Sequence, residues 1–212
     1  MNDNTIDWVA WHSPYSDPQS ALSRRLEIIQ SHIKSCLLAQ LTYSRQVISL
    51  CAGQGRDLLD VLERTPQLRE ARALLIESDP ENVKIASDRI QQMALANVAV
   101  HCADAGNSDS YVGATPADLV LLCGVFGNIC DLDIFNTIKF LPRMCADGAT
   151  VIWTRSRRDP DITPAIRRSF EANGFLELAF IAPSDEKFSV GVNKFSGTPE
   201  QLTSNEQLFT FL

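Results

Sequence analysis

Metal-binding and redox patterns are missing from this chain. Its six cysteines (36, 51, 102, 123, 130 and 145) include no CxxC pair, and its three histidines (12, 32 and 101) have no HxxxH spacing. No zinc site is therefore expected and no metal is assigned. Long apolar runs are missing too: the longest, residues 119–129, is too short to cross a bilayer. Residues 1–7 carry neither the positive charge nor the apolar stretch of a secretory signal. The expectation is a cytoplasmic protein with no membrane attachment. Positive charge is in short supply, 19 Lys and Arg against 26 Asp and Glu, for a formal charge of −7. Such a chain repels polyanions at long range, which argues against nucleic acid as a partner. No internal repeat, low-complexity tract or heptad array interrupts it.

What is present is ordinary globular composition, 45% hydrophobic and 21% charged over 212 residues. That length suffices for one α/β domain with a sizeable core and is short for two. Five short runs rich in Val, Ile and Leu, at 47–51, 73–77, 98–102, 118–123 and 149–154, read as buried strands. Between them, 56–64, 80–96 and 131–144 read as helices, with Pro80 suited to a first turn. This alternation predicts a parallel sheet with right-handed crossovers. A helix at 163–172, with Thr163 as N-cap and Asn173-Gly174 as its stop, precedes two strands, 175–181 and 188–195, expected to form an antiparallel pair. Residues 21–40 carry apolar positions at 22, 26, 29, 33 and 37, one stripe of an amphipathic helix expected to cover an edge or mouth of the sheet. Ahead of it, Trp8, Trp11, His12 and Tyr15 crowd together. Four of the cysteines lie in or beside apolar runs and read as buried packing, as does His101. The division predicted is a helical cap over 1–45, an α/β domain over 46–196, and a tail over 197–212 whose Leu208, Phe209, Phe211 and Leu212 can dock it onto the body.

The stretch Val47-Ile48-Ser49-Leu50-Cys51-Ala52-Gly53-Gln54-Gly55-Arg56-Asp57 is an apolar strand that breaks on a glycine-bearing turn and enters a helix. Glycines there let backbone approach a ligand at the carboxyl edge of a sheet, where open α/β sheets bind. A dinucleotide fingerprint would need a third glycine where Leu58 stands, and no Walker A lysine follows, so neither NAD nor ATP is favoured. Glu77, 22 residues beyond Gly55, ends the second strand, where an acid grips a ribose diol. A carboxylate can accept from both hydroxyls. The alternative, that Glu77 and Asp79 merely begin the next helix favourably, is the lesser reading. Asp104 ends the third strand, placed to accept from an adenine amine.

Taken in order, Ser49 to Gly55, Glu77-Ser78-Asp79-Pro80, Ala103-Asp104-Ala105 and Asp118 to Gly124 resemble the motifs of class I S-adenosylmethionine-dependent methyltransferases. More narrowly, Ser49 to Asp57, Cys123-Gly124-Val125-Phe126-Gly127-Asn128 and Trp153-Thr154-Arg155 resemble a bacterial group of uncharacterised methyltransferases. The resemblance runs from Val47 to Thr154. It implies a Rossmann-like methyltransferase fold: a central seven-stranded, mostly parallel sheet, its last strand antiparallel, with helices on both faces. It also implies S-adenosylmethionine as cofactor and S-adenosylhomocysteine as product. Glu77, with Ser78 beside it, would take the ribose, Asp104 and Ala105 the adenine, and Cys51, Ala52, Gly53 and Gly55 the methionine side. The backbone of Cys123 and Gly124 would lie near the sulfonium. Two positions depart from the family pattern, Ser49 where an acid is usual and Cys51 where the first glycine is usual.

Arg24, Arg25 and Arg56 are candidates for the cofactor's carboxylate, because guanidinium recognises carboxylates bidentately. Tyr15 and His12 could reach over the site if the leading helix packs on its mouth, and are packing residues otherwise. Methyl transfer from a sulfonium needs chiefly alignment and exclusion of water. Should a base be needed, His12 is the candidate. Asn128 could orient the acceptor or cap the following helix. Arg155, with Arg157, Arg158, Arg167 and Arg168, forms the one basic concentration and could recognise an anionic acceptor, or pair with Asp159 and Asp161. The first reading is a small-molecule methyltransferase. Its rivals are an RNA or protein methyltransferase and a non-catalytic binder of S-adenosylmethionine or S-adenosylhomocysteine. The sequence is silent on the acceptor and on oligomeric state.

Overall fold

The computed structural model describes residues 10–39 and 45–212, with side chains from residue 13 onward. Seven strands, β1 (Gln46–Leu50), β2 (Arg72–Glu77), β3 (Val98–Cys102), β4 (Ala117–Leu122), β5 (Cys145–Ser156), β6 (Phe175–Ile181) and β7 (Phe188–Phe195), make one sheet in the order β3-β2-β1-β4-β5-β7-β6. All neighbours pair in parallel except β7, antiparallel to both β5 and β6. This is the Rossmann-like methyltransferase fold, six strands in one direction and the last reversed.

Side-chain alternation sorts the core into two layers. Ile48, Leu50, Leu74, Ile76, Val120, Leu122, Val151 and Trp153 face α4 (Asp131–Phe140) and α5 (Thr163–Ala172). Val47, Ala73, Leu75, Leu119, Leu121 and Ile152 face α1 (Ala21–Leu38), α2 (Arg56–Arg64) and α3 (Pro80–Gln92). Strands buried on both faces lose the polar alternation of a half-exposed sheet, which is why they read as continuous apolar runs. The stripe on α1 buries Ile29, Ile33 and Leu37 almost completely, and the Ser20 hydroxyl accepts from the Ser23 amide to start that helix.

Several expectations are corrected. The helix expected over 80–96 ends at Gln92: Ala94 turns left-handed (φ +51°), its amide donates to the Gln91 carbonyl, and the Leu95 amide reaches back to Ile90. The helix expected over 131–144 stops at Phe140 and tightens into a 3₁₀ turn at Leu141–Arg143, because Pro142 has no amide hydrogen to continue it. Thr163 is the first helical residue, not the cap. Ile162 holds the cap position, and Asp161 just before it accepts from both the amide (2.9 Å) and the hydroxyl (2.7 Å) of Thr163. β3 is an edge strand rather than a buried one, leaving His101 and Cys102 exposed. Of the cysteines only Cys145 is fully buried.

The tail docks. Ser108 donates its amide to the Glu206 carbonyl, and Leu208 and Leu212 donate theirs to the carbonyls of Gly106 and Asn128. Leu208 and Phe209 enter the core with α4 and α5. Among the described residues, no helix is long and apolar enough to cross a membrane.

Candidate functional site

β1 sits between β2 and β4, so the chain leaves β1 toward one side and β4 toward the other. At this divergence of strand ends a crevice forms. A cavity of about 340 Å³ fills it, within the size range of small-molecule sites. Its floor is the turn after β1. Cys51, Gly53 and Gly55 all have positive φ (51°, 53° and 69°). The left-handed shape that glycine usually supplies is thus kept by Cys51, at the steric cost of a side chain. Gly55 cannot carry one, since an added Cβ would lie 2.8 Å from Leu59 and 2.9 Å from Leu75.

Glu77 binds this floor to the next strand. One carboxylate oxygen accepts from the Gly53 amide (2.7 Å) and the other from the Asp79 amide (2.8 Å). Glu77 also lines the cavity, and each of its oxygens can accept more than once. Asp79 caps α3, accepting from the amides of Glu81 and Asn82. The two acids thus divide the roles that the sequence left open between them. From β4 come Cys123 and Gly124, the latter with φ +85° and its amide donated to the Thr154 hydroxyl (2.8 Å). An added Cβ at Gly124 would meet nothing within 4 Å.

The other walls come from outside the sheet. Tyr15, Arg25, Leu26 and Ile29 descend from the leading segment and α1, and Phe211 and Leu212 from the tail. Arg25 donates to the Tyr15 hydroxyl (3.3 Å), and the Arg56 guanidinium lies 5.5 Å from the Tyr15 ring centre. Burial dominates the electrostatics: it raises the Tyr15 phenol, pushes the Cys51 and Cys123 thiols well above their usual range, and lifts the Asp57 carboxyl to about 6. Both thiols stay protonated at neutral pH and are poor nucleophiles. The acids of the cavity are Asp57 and Glu77, and no histidine lines it among the described residues.

The expected site residues are therefore distributed as follows. Tyr15, Cys51, Ala52, Gly53, Glu77, Ser78, Cys123, Gly124 and Asn128 line the cavity, whereas Gly55 shapes its floor from beneath. Asn128 does not cap α4. Its side-chain amide donates to the Gly124 carbonyl (2.7 Å), and Cys130 holds the cap position. Asp104 and Ala105 stand outside the cavity. The carboxylate of Asp104 accepts from the Gly106 amide (2.7 Å) and from the side chain of Gln207 in the tail (3.1 Å), while Ala105 is buried in the core. Arg24 turns away to Glu186 and the Gln19 carbonyl. Arg155 is held by the Phe126 carbonyl and Asp131, Arg157 by backbone carbonyls, and Arg167 by Glu177, and none of these three, nor Arg158 or Arg168, lines the cavity. The side chain of His12 lies outside the described residues, as do those of Trp8 and Trp11.

The sequence reading missed Asp57, Asn82, Phe211 and Leu212 as lining residues. The first two were legible as first-turn residues of helices that begin at the sheet's carboxyl edge. The tail pair carried no signal beyond hydrophobicity. Among the described residues, no group of His, Cys, Asp and Glu could hold a metal ion.

Residues 22–170 match the model of a family described as "Putative methyltransferase". The chain belongs to that family. No curated protein matches it. Among solved structures it is similar to an O-methyltransferase family protein from Burkholderia thailandensis, at 16% identity and TM-score 0.67, covering 91% of this chain and 60% of that one. This chain thus spans about 60% of that relative's length. It is also similar to magnesium protoporphyrin IX methyltransferase from Synechocystis PCC 6803 with bound SAM (14% identity, TM-score 0.65, covering 91% and 93%). A third is precorrin-6y C5,15-methyltransferase from Geobacter metallireducens (13%, TM-score 0.57, covering 79% and 87%). In all, 870 solved chains match, so likeness of fold selects no acceptor.

Proposed function

We propose that this chain binds S-adenosylmethionine in the cavity and transfers its methyl group to a small-molecule acceptor, releasing S-adenosylhomocysteine. The observation that carries the reading is Glu77, a buried carboxylate at the tip of β2 that grips the Gly53 turn and still lines the cavity. Acceptor-rich and fixed in place, it suits a pair of vicinal hydroxyls. Asn82 supports the same fit: its side-chain oxygen is buried in the cavity wall with no hydrogen-bond partner, as expected of a group that meets a ligand.

When bound, the sulfonium supplies an electrophilic methyl group. The residues of the chain hold, align and keep dry. Tyr15, Leu26, Ile29 and Phe211 give the cavity apolar walls suited to keeping water from a bound sulfonium, and the thiols, protonated, do not compete for the methyl group. Positioning of this kind is worth several kcal/mol, about 7 or more in good cases, without a general base. A small acceptor fits a cavity of about 340 Å³ walled by the leading segment and the tail, in an acidic chain, better than a polyanion does.

Calorimetry with S-adenosylmethionine and S-adenosylhomocysteine, with NAD as control, tests the reading. Binding of the first two, absent for NAD and lost in Glu77→Ala, is the expected result. Full affinity in Glu77→Ala, or no binding by the wild type, would overturn it.

A further inference from the structure

The residue that the family pattern would use near the charged end of the cofactor is an acid at position 49, and here it is Ser49. The serine has not taken over that role, since its hydroxyl is buried in the core, has no partner, and does not line the cavity. A buried acid does line it nearby. Asp57, in the first turn of α2, is 8% exposed and borders the cavity. One of its oxygens accepts from the Leu58 amide (2.8 Å).

Three arginines stand near enough to be considered for the opposite charge, and their partners separate them. Arg24 is bound to Glu186 outside the cavity. Arg56 gives two hydrogen bonds to the side-chain oxygen of Gln54 (3.1 and 3.0 Å). Arg25 makes one long bond to Tyr15, and its buried Nε has no partner at all. A buried guanidinium nitrogen left unbonded is costly in the free protein and is relieved by an anion that fits. Arg25 and Asp57 feel each other's charge without being hydrogen-bonded, so each retains capacity for a ligand.

We infer that Asp57 and Arg25 together read an α-amino acid: the Asp57 carboxylate takes an α-ammonium and the Arg25 guanidinium the α-carboxylate of the same ligand end, Asp57 standing in for the acid that Ser49 replaces. This rests on the reading of the cavity as an S-adenosylmethionine site. It adds that the selectivity for the amino-acid end comes from α1 and α2, not from the strand tip. A zwitterion satisfies both residues at once, whereas a nucleoside without the amino acid satisfies neither.

The test compares S-adenosylhomocysteine with 5′-methylthioadenosine, the same nucleoside thioether without the amino-acid end, by calorimetry. Both are titrated into the wild type, Asp57→Asn and Arg25→Met. The expected result is a loss of at least about tenfold in S-adenosylhomocysteine affinity in each variant, as for a charge-assisted hydrogen bond, with 5′-methylthioadenosine affinity unchanged. Wild-type affinity for S-adenosylhomocysteine should also fall as pH drops below about 6, where Asp57 takes up a proton, and this slope should be absent in Asp57→Asn. The groups that face Asp57 are Arg25 from α1, Tyr15 from the leading segment, Cys123 after β4, and Asp60 on its own helix. Burial raises Asp57 itself into that range. If wild type binds both nucleosides and the variants lose neither, or lose both equally, the amino-acid reader is refuted while the cofactor reading stands. If wild type binds neither, both fall together.

Discussion

Replacing Asp57 by Asn should make the ligand-free protein more stable, and the reason lies in where its charge is kept. Burial lifts the carboxyl from 3.8 to about 6. At about 1.4 kcal/mol per pH unit, keeping it ionised in the fold at neutral pH costs about 3 kcal/mol. The sign follows from proton counts. Between about pH 4 and 6 the folded chain holds a proton at Asp57 that the unfolded chain has released. Stability from this residue therefore falls as pH rises through that window and stays low above it. Asn keeps an acceptor for the Leu58 amide but adds a buried amide hydrogen pair worth about 1 kcal/mol of loss. The net expectation is a gain of about 2 kcal/mol at pH near 8, or roughly 4–8 °C in Tm for a chain of this size. At pH near 4 the gain should vanish or reverse. Urea unfolding of wild type and Asp57→Asn at the two pH values measures it directly. A destabilised variant at pH 8, or the same difference at both pH values, would refute the reasoning. Stability gained at the expense of binding is what a buried charge retained for function predicts.

Glu77→Gln should lower S-adenosylhomocysteine affinity by about 1.5–3 kcal/mol, since a charge-assisted acceptor becomes a neutral amide; unchanged affinity by calorimetry would remove Glu77 from the ligand. Ala94→Gly should stabilise the fold by about 0.5–1 kcal/mol, because the exposed left-handed C-terminus of α3 favours glycine, and a chemical-denaturation midpoint reads this. Gly191→Ala should cost about 3 kcal/mol or more. An added Cβ there would overlap the Trp153 ring, which is fixed by stacking on Phe170 (5.6 Å) and by its indole bond to Asn193 (2.8 Å). A soluble variant of wild-type stability would contradict that packing.

Much of the architecture was legible in local pattern. β1, β2 and β4 fall within one residue of where their apolar runs put them, since burial on both faces of a parallel strand writes itself as an apolar run, and β3, β6, β7 and α2 match the bounds that local periodicity and turn residues gave them. The errors fell where the deciding contact is distant or stereochemical. Ala94 ends α3 in a conformation that composition does not favour, and β3 is exposed only because it lies at the sheet's edge.

The site divides in the same way. Glu77 and the Gly53 turn could be placed together from sequence because adjacent parallel strands bring consecutive strand tips side by side. Asp104 obeyed the same rule of order yet stands outside the cavity, bonded to Gln207 across 103 residues. Arg25 and Arg24 are neighbours in sequence, but the pitch of α1 sends one to the cavity and the other to Glu186. Local order along the chain thus determined the strands, the turn and the acid at the second strand's tip, because those depend on near neighbours. Which charges meet at the cavity was decided only by packing, since side-chain direction on a helix and the path of the tail are set by contacts between residues far apart in sequence.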